Sequence, residues 1–280
     1  MKIALVRGSL PGVAEEIRTD ALVLRRRAFG DSDWIAVLLT QACGKVSGIA
    51  RGARRSRRRF AGPVLEPFQQ VTVRMTQRPA SELMFLHECR LLRDHQHLAS
   101  DPQVYGWACY ANELTERMTA DHDPCPDVYR LLVETLEAFS DAPSVEPHAH
   151  HFVLRLLEHA GWTPDFDRCG LCGAPAGAAT RPILDERGSG VICARHEAER
   201  VGLDPADPRF KPSRRVIEEP LLAYLRAARS RPVAGAPAEI AALATRLLDR
   251  LLDLHLTRPL KSRAFLTHVE ALGAGGRSPR

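Results

Sequence analysis

The sequence predicts an α+β protein: a small β-barrel near the amino terminus, then an α-helical domain with an inserted metal-binding module. Three observations carry this prediction. Short apolar runs separated by glycine-bearing turns extend to residue 98, helical periodicity follows, and a cysteine–histidine cluster interrupts the helical part. With 280 residues, of which 45% are hydrophobic, the chain can build a sizeable core, so we do not expect a largely disordered protein.

Five runs have the length and alternation of β-strands, and glycines punctuate the turns between them. They are residues 21–26, 34–40, 46–50, 70–76 and 83–89. Five short strands in about seventy residues predict a closed or nearly closed barrel. Gly48, inside the third run, is predicted to mark a bulge at a barrel corner.

After residue 98 the apolar residues recur at three- and four-residue spacing, which is typical of helices. Asp101 followed by Pro102 predicts an N-cap and a first helical residue, and Pro126 opens a second helix. Further helices are predicted at residues 148–160, 220–228 and 238–256. The histidines at positions 148, 150 and 151 are predicted to lie on a solvated helix terminus.

Two pairs of metal-binding side chains lie between the helical stretches. Cys169 and Cys172 have the spacing of a zinc knuckle, and Cys193 and His196 have the same spacing further along the chain. Thiolate and imidazole ligands in this pattern suit tetrahedral Zn²⁺. Four protein ligands leave no open position for water, so the predicted zinc is structural.

Two alternatives for this cluster stay open. Cys193 and His196 are ordinary residues in the first, which leaves only a vestigial cysteine pair. In the second, Cys169 and Cys172 form a thioredoxin-like redox pair, although no parallel-sheet pattern surrounds them. A zinc hydrolase or deaminase is disfavoured, because the sequence has no HExxH motif and the coordination shell is filled.

A basic segment follows the third predicted strand. Between Arg51 and Arg59, six of nine residues are arginine and none is acidic. The net charge of the chain is +5, and the stretch from Lys45 to Arg59 alone carries +7, so the rest is close to balanced. A flexible arginine loop beside a barrel predicts a polyanionic partner, because guanidinium groups bind phosphate oxygens in pairs. The alternative is a merely solvated loop.

Sequence motifs of the common enzyme classes are absent. The chain contains no phosphate-binding loop of the G-x-x-x-x-G-K-[ST] type, no G-x-S-x-G elbow and no G-x-G-x-x-G fingerprint. We therefore expect no catalytic residues and no enzyme. The sequence also has no signal peptide and no membrane-length apolar run, so we expect a cytoplasmic protein without a membrane partner.

Three separated stretches resemble the bacterial recombination mediator family RecO. They are FGDSDWIAVLLTQACGKVSGIARGARRSRRRFAGPVLEPF (29–68), GWTPDFDRCGLCG (161–173) and HLTRPLKSRAFL (255–266). One departure is His196, where many zinc-bearing members have cysteine. The resemblance implies an N-terminal OB-fold β-barrel, a C-terminal α-helical domain with an inserted zinc-binding module, and no enzymatic turnover.

The resemblance also implies a function and its partners. RecO-like proteins bind single- and double-stranded DNA, anneal complementary strands, and act with RecR. They help to load RecA onto DNA coated by single-strand-binding protein, whose acidic C-terminal tail they contact. The alternative is an OB-fold RNA-binding protein with a structural zinc.

The predicted phosphate contacts are seven cations of the basic stretch and two on barrel strands. They are Lys45, Arg51, Arg54, Arg55, Arg57, Arg58 and Arg59, with Arg26 and Arg74 as weaker candidates. Trp34 and Phe60 are placed either under stacked bases or in the barrel core, with the core favoured. Lys261 and Arg263 either form a second basic site or join the last helix to its neighbours.

The predicted division of the chain has six parts. They are a flexible tail (1–18), an OB-fold DNA-binding domain (19–98), a helical domain in two parts (99–166 and 198–270), the zinc-binding module between them (167–197), and a flexible tail (271–280).

Overall fold

The computed structural model describes residues 16–77, 81–177, 179–185, 190–210 and 216–275. The chain divides into two compact units. Unit 1 takes in the chain up to Asp141 and again from Leu260, and unit 2 is Ala142–Pro259. Residues 102–141 therefore group with the barrel, whereas the sequence patterns placed them with the later helices. The predicted domain boundaries stay predictions.

Unit 1 is built on a closed five-stranded barrel, which confirms the predicted fold class. Its strands are β1 (Glu16–Phe29), β2 (Asp33–Thr40), β3 (Gly44–Ala50), β4 (Gln70–Gln77) and β5 (Met84–Arg93). Around the barrel the order is β1-β2-β3-β5-β4, with β4 returning to β1. All pairs are antiparallel except β3 with β5. This is the topology of an OB-fold.

Strand β1 is longer than predicted because it pairs with two neighbouring strands along different parts of its length. Its first half pairs with β4 and its second half with β2, and the register shifts between Val23 and Arg25. The apolar residues Ala21 to Leu24 at its centre are buried, and the more polar ends extend the strand outward. The apolar run alone therefore predicted only the middle of the strand.

The predicted bulge at Gly48 is wrong. The register of β2 against β3 is continuous across this residue, and the shifts lie in β1 and between β4 and β5. Gly48 is instead required by packing, since a Cβ there would lie 2.5 Å from Cδ2 of Leu86.

The described residues contain seven α-helices. They are α1 (Pro102–Met118), α2 (Pro126–Asp141), α3 (Glu146–His159), α4 (Ala194–Arg200), α5 (Glu219–Ser230), α6 (Ala238–Asp253) and α7 (Lys261–Gly275). The predicted start of α1 is confirmed, because the Asp101 side chain accepts hydrogen bonds from the amides of Gln103 and Val104. Within this part of the chain, none of the helices is long and apolar enough to cross a bilayer.

Helix α7 was not predicted, and it packs on α1 within unit 1. A Cβ at Gly106 of α1 would lie 2.6 Å from Leu266 of α7, so the two helices approach closely there. The Glu113 carboxylate of α1 accepts hydrogen bonds from the backbone amides of Lys261 and Ser262. It thereby satisfies donors that a helix leaves unpaired at its N-terminus.

Unit 2 contains α3 to α6 and the cysteine-bearing segment, which adds a hairpin of β6 (Ile183–Leu184) and β7 (Val191–Ile192). The predicted solvated position of His150 is wrong. His150 is 1% exposed, and its ring lies between the Tyr224 hydroxyl at 2.7 Å and the Thr245 hydroxyl at 2.8 Å. The sequence could not show that α5 and α6 supply these two partners.

The hydrogen bonds of His150 favour one tautomer of the neutral ring. The Thr245 hydroxyl donates to the Ala241 carbonyl, so it accepts from Nε2–H of His150. Nδ1 then accepts from the Tyr224 hydroxyl. Burial lowers the pKa of His150 to about 4, because the charged ring would lose its hydration.

Acid should therefore destabilise unit 2 through His150. The pKa is about 4 in the folded protein and about 6.5 when unfolded. The contribution of the neutral ring to the free energy of unfolding is fully present above pH ~6.5. It is lost, by up to about 3 kcal/mol, as the pH falls from there through the folded pKa. Thermal unfolding followed from pH 8 to 4 (roughly the span of these pKa values) checks this. His150→Gln should unfold at a lower temperature at neutral pH, and its unfolding temperature should depend less on pH. A variant whose unfolding temperature depends on pH as strongly as that of the native protein would contradict the assignment.

Candidate functional site

The basic segment leaves β3 at Ala50 and is fixed to the barrel along its length. The amide of Gly52 donates to Oδ1 of Asp33 at 2.8 Å, and the amide of Arg54 donates to the Ser32 carbonyl at 3.0 Å. Further on, the amide of Cys89 in β5 donates to the Arg59 carbonyl at 2.9 Å. The segment, predicted as a flexible loop, is therefore held at its start and at its end. We call residues 51–59 the arginine loop.

Two features of the arginine loop explain why it sits where it does. Ala53 and Phe60 are buried in the barrel core, with Phe60 3% exposed, so they anchor the loop by apolar contact. Gly52 has φ of 65°, a left-handed conformation that glycine adopts without strain. A short 3-10 turn (Ala53–Arg55) follows it.

All six arginines of the loop are exposed. They are Arg51, Arg54, Arg55, Arg57, Arg58 and Arg59. Over the residues that the structure describes, none of them has a carboxylate within 4 Å. In the described part of the chain, the side-chain hydrogen bonds of these arginines go to backbone carbonyls: Nη1 of Arg54 donates to Asp31 at 3.2 Å, and Nη2 of Arg59 to Arg51 at 3.0 Å. Six exposed guanidinium groups thus lie within nine residues, and none of them forms an ion pair in the described structure.

Aromatic rings of the barrel lie under three of these guanidinium groups. The distances from Cζ to the ring centroid are 5.7 Å for Arg51 over Phe85, 5.6 Å for Arg54 over Trp34 and 5.6 Å for Arg59 over Phe60. A guanidinium over a ring is attracted by the π-electrons while its N–H groups still point outward. The rings therefore orient cations without neutralising them.

The carboxylate of Asp33 contacts the arginine loop through the loop's backbone, because it accepts a hydrogen bond from the amide of Gly52. The amide of Gly52, the Ser32 hydroxyl and the charge of Arg51 outweigh the effect of desolvation and lower the pKa of its carboxyl group. Sequence reasoning missed this residue, because the amide that it accepts from lies 19 residues away in the sequence and leaves no local signal.

The two weaker candidates on the strands are paired. Arg26 forms an ion pair with Glu66, and its Cζ lies 4.1 Å from the centroid of Trp34. Arg74 lies 3.1 Å from Glu16 and 3.8 Å from Glu88. Neither belongs to the cluster of unpaired cations in the loop.

Lys45 also lies apart from the arginine loop. Its side chain is 13% exposed, and its Nζ donates to the carbonyl oxygens of Glu116 at 2.6 Å and Thr119 at 2.7 Å. Asp121 lies 3.4 Å away. Because the two carbonyls end α1, the ammonium group satisfies acceptors that a helix leaves unpaired at its C-terminus.

The four predicted metal ligands come together in unit 2. Their donor atoms all lie within 4.8 Å of one another; the residues are Cys169, Cys172, Cys193 and His196. Nδ1 of His196 lies 3.2 Å from Sγ of Cys193 and 3.5 Å from Sγ of Cys169. One metal ion can therefore be held by three sulfurs and one nitrogen.

Backbone hydrogen bonds shape each half of this cluster. The amide of Gly173 donates to the Cys169 carbonyl at 2.8 Å, which closes the turn that carries Cys172. Gly173 has φ of 70°, as a tight turn of this kind requires. On the other side, Cys193 is the N-cap residue of α4, and His196 lies in the first turn of that helix. The amide of Gly170 joins the halves by donating to the Val191 carbonyl at 2.9 Å.

The environment favours a thiolate at Cys169. Burial raises the pKa of this thiol. Hydrogen bonds from the amides of Cys172, Cys193 and Leu171 and from the His196 ring outweigh burial and lower the pKa to about 6. Burial raises the pKa of Cys193. A thiolate is the form that binds metal, so the cluster has one donor ready at neutral pH.

Comparison with known proteins agrees with this architecture. A family model described as "Recombination protein O N terminal" matches residues 14–95, and one described as "Recombination protein O C terminal" matches residues 99–264. The chain is 35% identical over 266 residues to the DNA repair protein RecO of Anaeromyxobacter dehalogenans (strain 2CP-C), covering 93% of this chain and 100% of that protein. It is 34% identical over 255 residues to the DNA repair protein RecO of Myxococcus xanthus (strain DK1622), covering 91% and 98%.

Proposed function

The chain belongs to the RecO family of DNA repair proteins, and from this premise we propose that it is a non-enzymatic recombination mediator. In this proposal the protein binds single- and double-stranded DNA through the arginine loop and anneals complementary strands. Together with RecR it helps to load RecA onto DNA coated by single-strand-binding protein. Its work on DNA implies association with the nucleoid.

The observation that carries the proposal is the exposed arginine loop. Six guanidinium groups without carboxylate partners in the described structure would repel one another, and phosphates relieve that repulsion. Binding releases counterions from the DNA, so the affinity should fall steeply with salt. Contacts to phosphates position the DNA without recognising bases, so we expect little sequence specificity.

Strand annealing follows from the same charges. Two complementary strands repel each other through their phosphates, and cations between or beside them reduce that repulsion. A loop held against a rigid barrel presents its cations at fixed spacing, which favours bringing one backbone alongside another. We assign the DNA contacts to Arg51, Arg54, Arg55, Arg57, Arg58 and Arg59, with Arg26 and Arg74 as weaker candidates.

The partner assignments rest on the family alone. We propose RecR and the acidic C-terminal tail of single-strand-binding protein as direct partners, and RecA as an indirect one. No residue of the chain is assigned to these contacts.

For the metal we propose a structural Zn²⁺. Tetrahedral zinc with bonds of about 2.3 Å to sulfur and about 2.0–2.1 Å to nitrogen places neighbouring sulfur and nitrogen ligands about 3.6 Å apart. The separations of 3.2 and 3.5 Å from His196 to two of the sulfurs are close to this value. Cys169, Cys172, Cys193 and His196 would fill the four positions, so the ion would stabilise the module.

Lys45 should act on stability and not on DNA binding. Lys45→Met keeps the aliphatic stem but removes the charged donor to Glu116 and Thr119. Hydrogen bonds that involve a charged group contribute about 1.5–3 kcal/mol, so the free energy of unfolding should fall by about that amount. Denaturant unfolding measures the loss, and DNA titration at several salt concentrations should give an unchanged slope. A slope that falls without loss of stability would return Lys45 to the DNA surface.

Annealing in the presence of single-strand-binding protein tests the proposed function. Complementary labelled strands coated with that protein should anneal faster when the chain is added, and RecR should change the rate. Competition with single-stranded RNA of the same length separates the alternative. Preference for RNA together with no acceleration of DNA annealing would favour an RNA-binding protein.

A further inference from the structure

Three aromatic rings lie under guanidinium groups of the arginine loop, and a fourth, Phe29, precedes a turn that the loop contacts; the four rings differ in exposure. Phe60 is 3% exposed and belongs to the barrel core, and Trp34 packs against that core with Arg26 over its ring at 4.1 Å. Phe29, in contrast, is 47% exposed, and Phe85 is partly exposed. Phe60 and Trp34, for which the sequence favoured the core over base stacking, thus lie in the core or pack against it.

Phe29 lies two residues before Asp31, which belongs to a turn that the start of the arginine loop contacts. It is the last residue of β1, directly before the turn to β2. The loop contacts this turn, because Arg54 donates through its side chain to the Asp31 carbonyl and through its amide to the Ser32 carbonyl. A base on the Phe29 ring would therefore belong to a strand whose phosphates are within reach of the loop.

Phe85 lies on a second strand that borders the loop. It is the second residue of β5, and Arg51 lies over its ring at 5.7 Å. His87, two residues on and so on the same side of the strand, contacts the ring edge with centroids 5.0 Å apart at 61°. Nε2 of His87 lies 3.0 Å from Oγ1 of Thr76 on β4, which fixes the imidazole. Phe85 is thus a supported ring next to unpaired cations.

We propose that Phe29 and Phe85 are stacking positions for unpaired bases of single-stranded DNA whose backbone is held by the arginine loop. The proposal rests on the proposed function and deepens it. Base faces are accessible in a single strand but are covered by neighbouring bases in a duplex, so the two rings favour single strands. Stacking on an aromatic ring tolerates any base, which agrees with binding that lacks sequence specificity.

The test compares two strands that differ only in their bases. One is oligothymidylate, and the other is an abasic strand with the same number of phosphates. The native protein should bind oligothymidylate more tightly, and Phe29→Leu with Phe85→Leu should remove that difference by weakening oligothymidylate binding roughly 5- to 150-fold per ring. Binding of the abasic strand, binding of duplex and the salt slope should not change. Equal affinity of the native protein for the two strands would overturn the stacking proposal.

Two controls keep the outcome interpretable. Trp162→Leu removes an exposed ring in unit 2, 38% exposed, and should leave both affinities unchanged. In the native protein, a strand that carries iododeoxyuridine should photocrosslink to Phe29 or Phe85, and crosslinks confined to other residues would overturn the proposal. Salt-dependent binding to both strands without a difference between them removes only the stacking positions. Failure to bind either strand would remove the proposed DNA-binding function itself.

Discussion

Replacing Arg55, Arg57 and Arg58 with alanine is expected to weaken binding to single-stranded DNA roughly 100-fold near 0.1 M salt and to lower the log–log salt slope by about 2. Each phosphate contact to a single strand contributes about 0.7 to that slope, and three contacts are removed. These three arginines are exposed, and no described hydrogen bond, ion pair or ring contact involves their side chains, so the fold should be unaffected. Fluorescence titration at several salt concentrations gives both quantities.

A matched variant separates local contacts from net charge. Arg130 and Arg209 are also exposed and Arg155 is partly exposed, and each is paired with a carboxylate on its own segment. Changing these three to alanine removes the same charge but should alter affinity and slope only slightly. If both triple variants weaken binding equally, the effect comes from overall charge, and the arginine loop is not the DNA-binding surface.

The second large effect is expected at the metal cluster. Cys172→Ser should abolish stoichiometric zinc binding and unfold the cysteine-bearing module. Cys172 is exposed, so serine changes little except the metal ligand, whereas Cys169 and Cys193 are buried and their replacement would also disturb packing. Zinc contributes roughly 10–16 kcal/mol to the folding of small zinc modules, and much of this should be lost. Metal analysis and the unfolding temperature of unit 2 measure the loss.

Cys125→Ser is the matched control, because Cys125 is a partly buried thiol outside the cluster. It should retain zinc and the native unfolding temperature. Treating the native protein with a chelator should reproduce the behaviour of Cys172→Ser. Native protein that is purified without metal and forms a disulfide between Cys169 and Cys172 would contradict the zinc assignment and favour the redox alternative.

The barrel was predictable because buried and outward-facing residues alternate along its strands. Val71, Val73 and Met75 of β4 are fully buried, and the residues between them face outward, so the period of two appears directly in the sequence. The metal ligands were predictable for a similar reason: the spacing within each pair is local. That the two pairs meet depends on the tertiary structure. The sequence predicted it because both pairs have the same spacing.

What sequence reasoning missed depends on contacts between distant segments. Lys45 belongs to the most basic stretch of the chain, yet its partners lie at the end of α1, about seventy residues away in sequence. The buried position of His150 depends on Tyr224 and Thr245 in the same way. Local composition identifies a charge or a polar cluster, but only the folded structure shows which of its members already have partners.

Helix α7 was missed for a different reason. Its apolar residues do not form a continuous stripe, since Phe265 is 38% exposed and Leu272 is 65% exposed. Leu266 is the buried residue that meets α1. The side of α7 that meets α1 also includes the buried polar residue Ser262, so it leaves only a weak apolar periodic signal.

The position of α7 in the chain has a consequence for synthesis on the ribosome. Unit 1 is interrupted by the 118 residues of unit 2, Ala142–Pro259. At about 5–20 residues per second, the ribosome needs roughly 6–24 s to make that insertion before α7 emerges. Until then, the surface of α1 around Gly106 has no helix to cover it. The nascent barrel unit is therefore exposed to association with other chains or with chaperones, whereas unit 2 is contiguous and can fold without waiting for later residues.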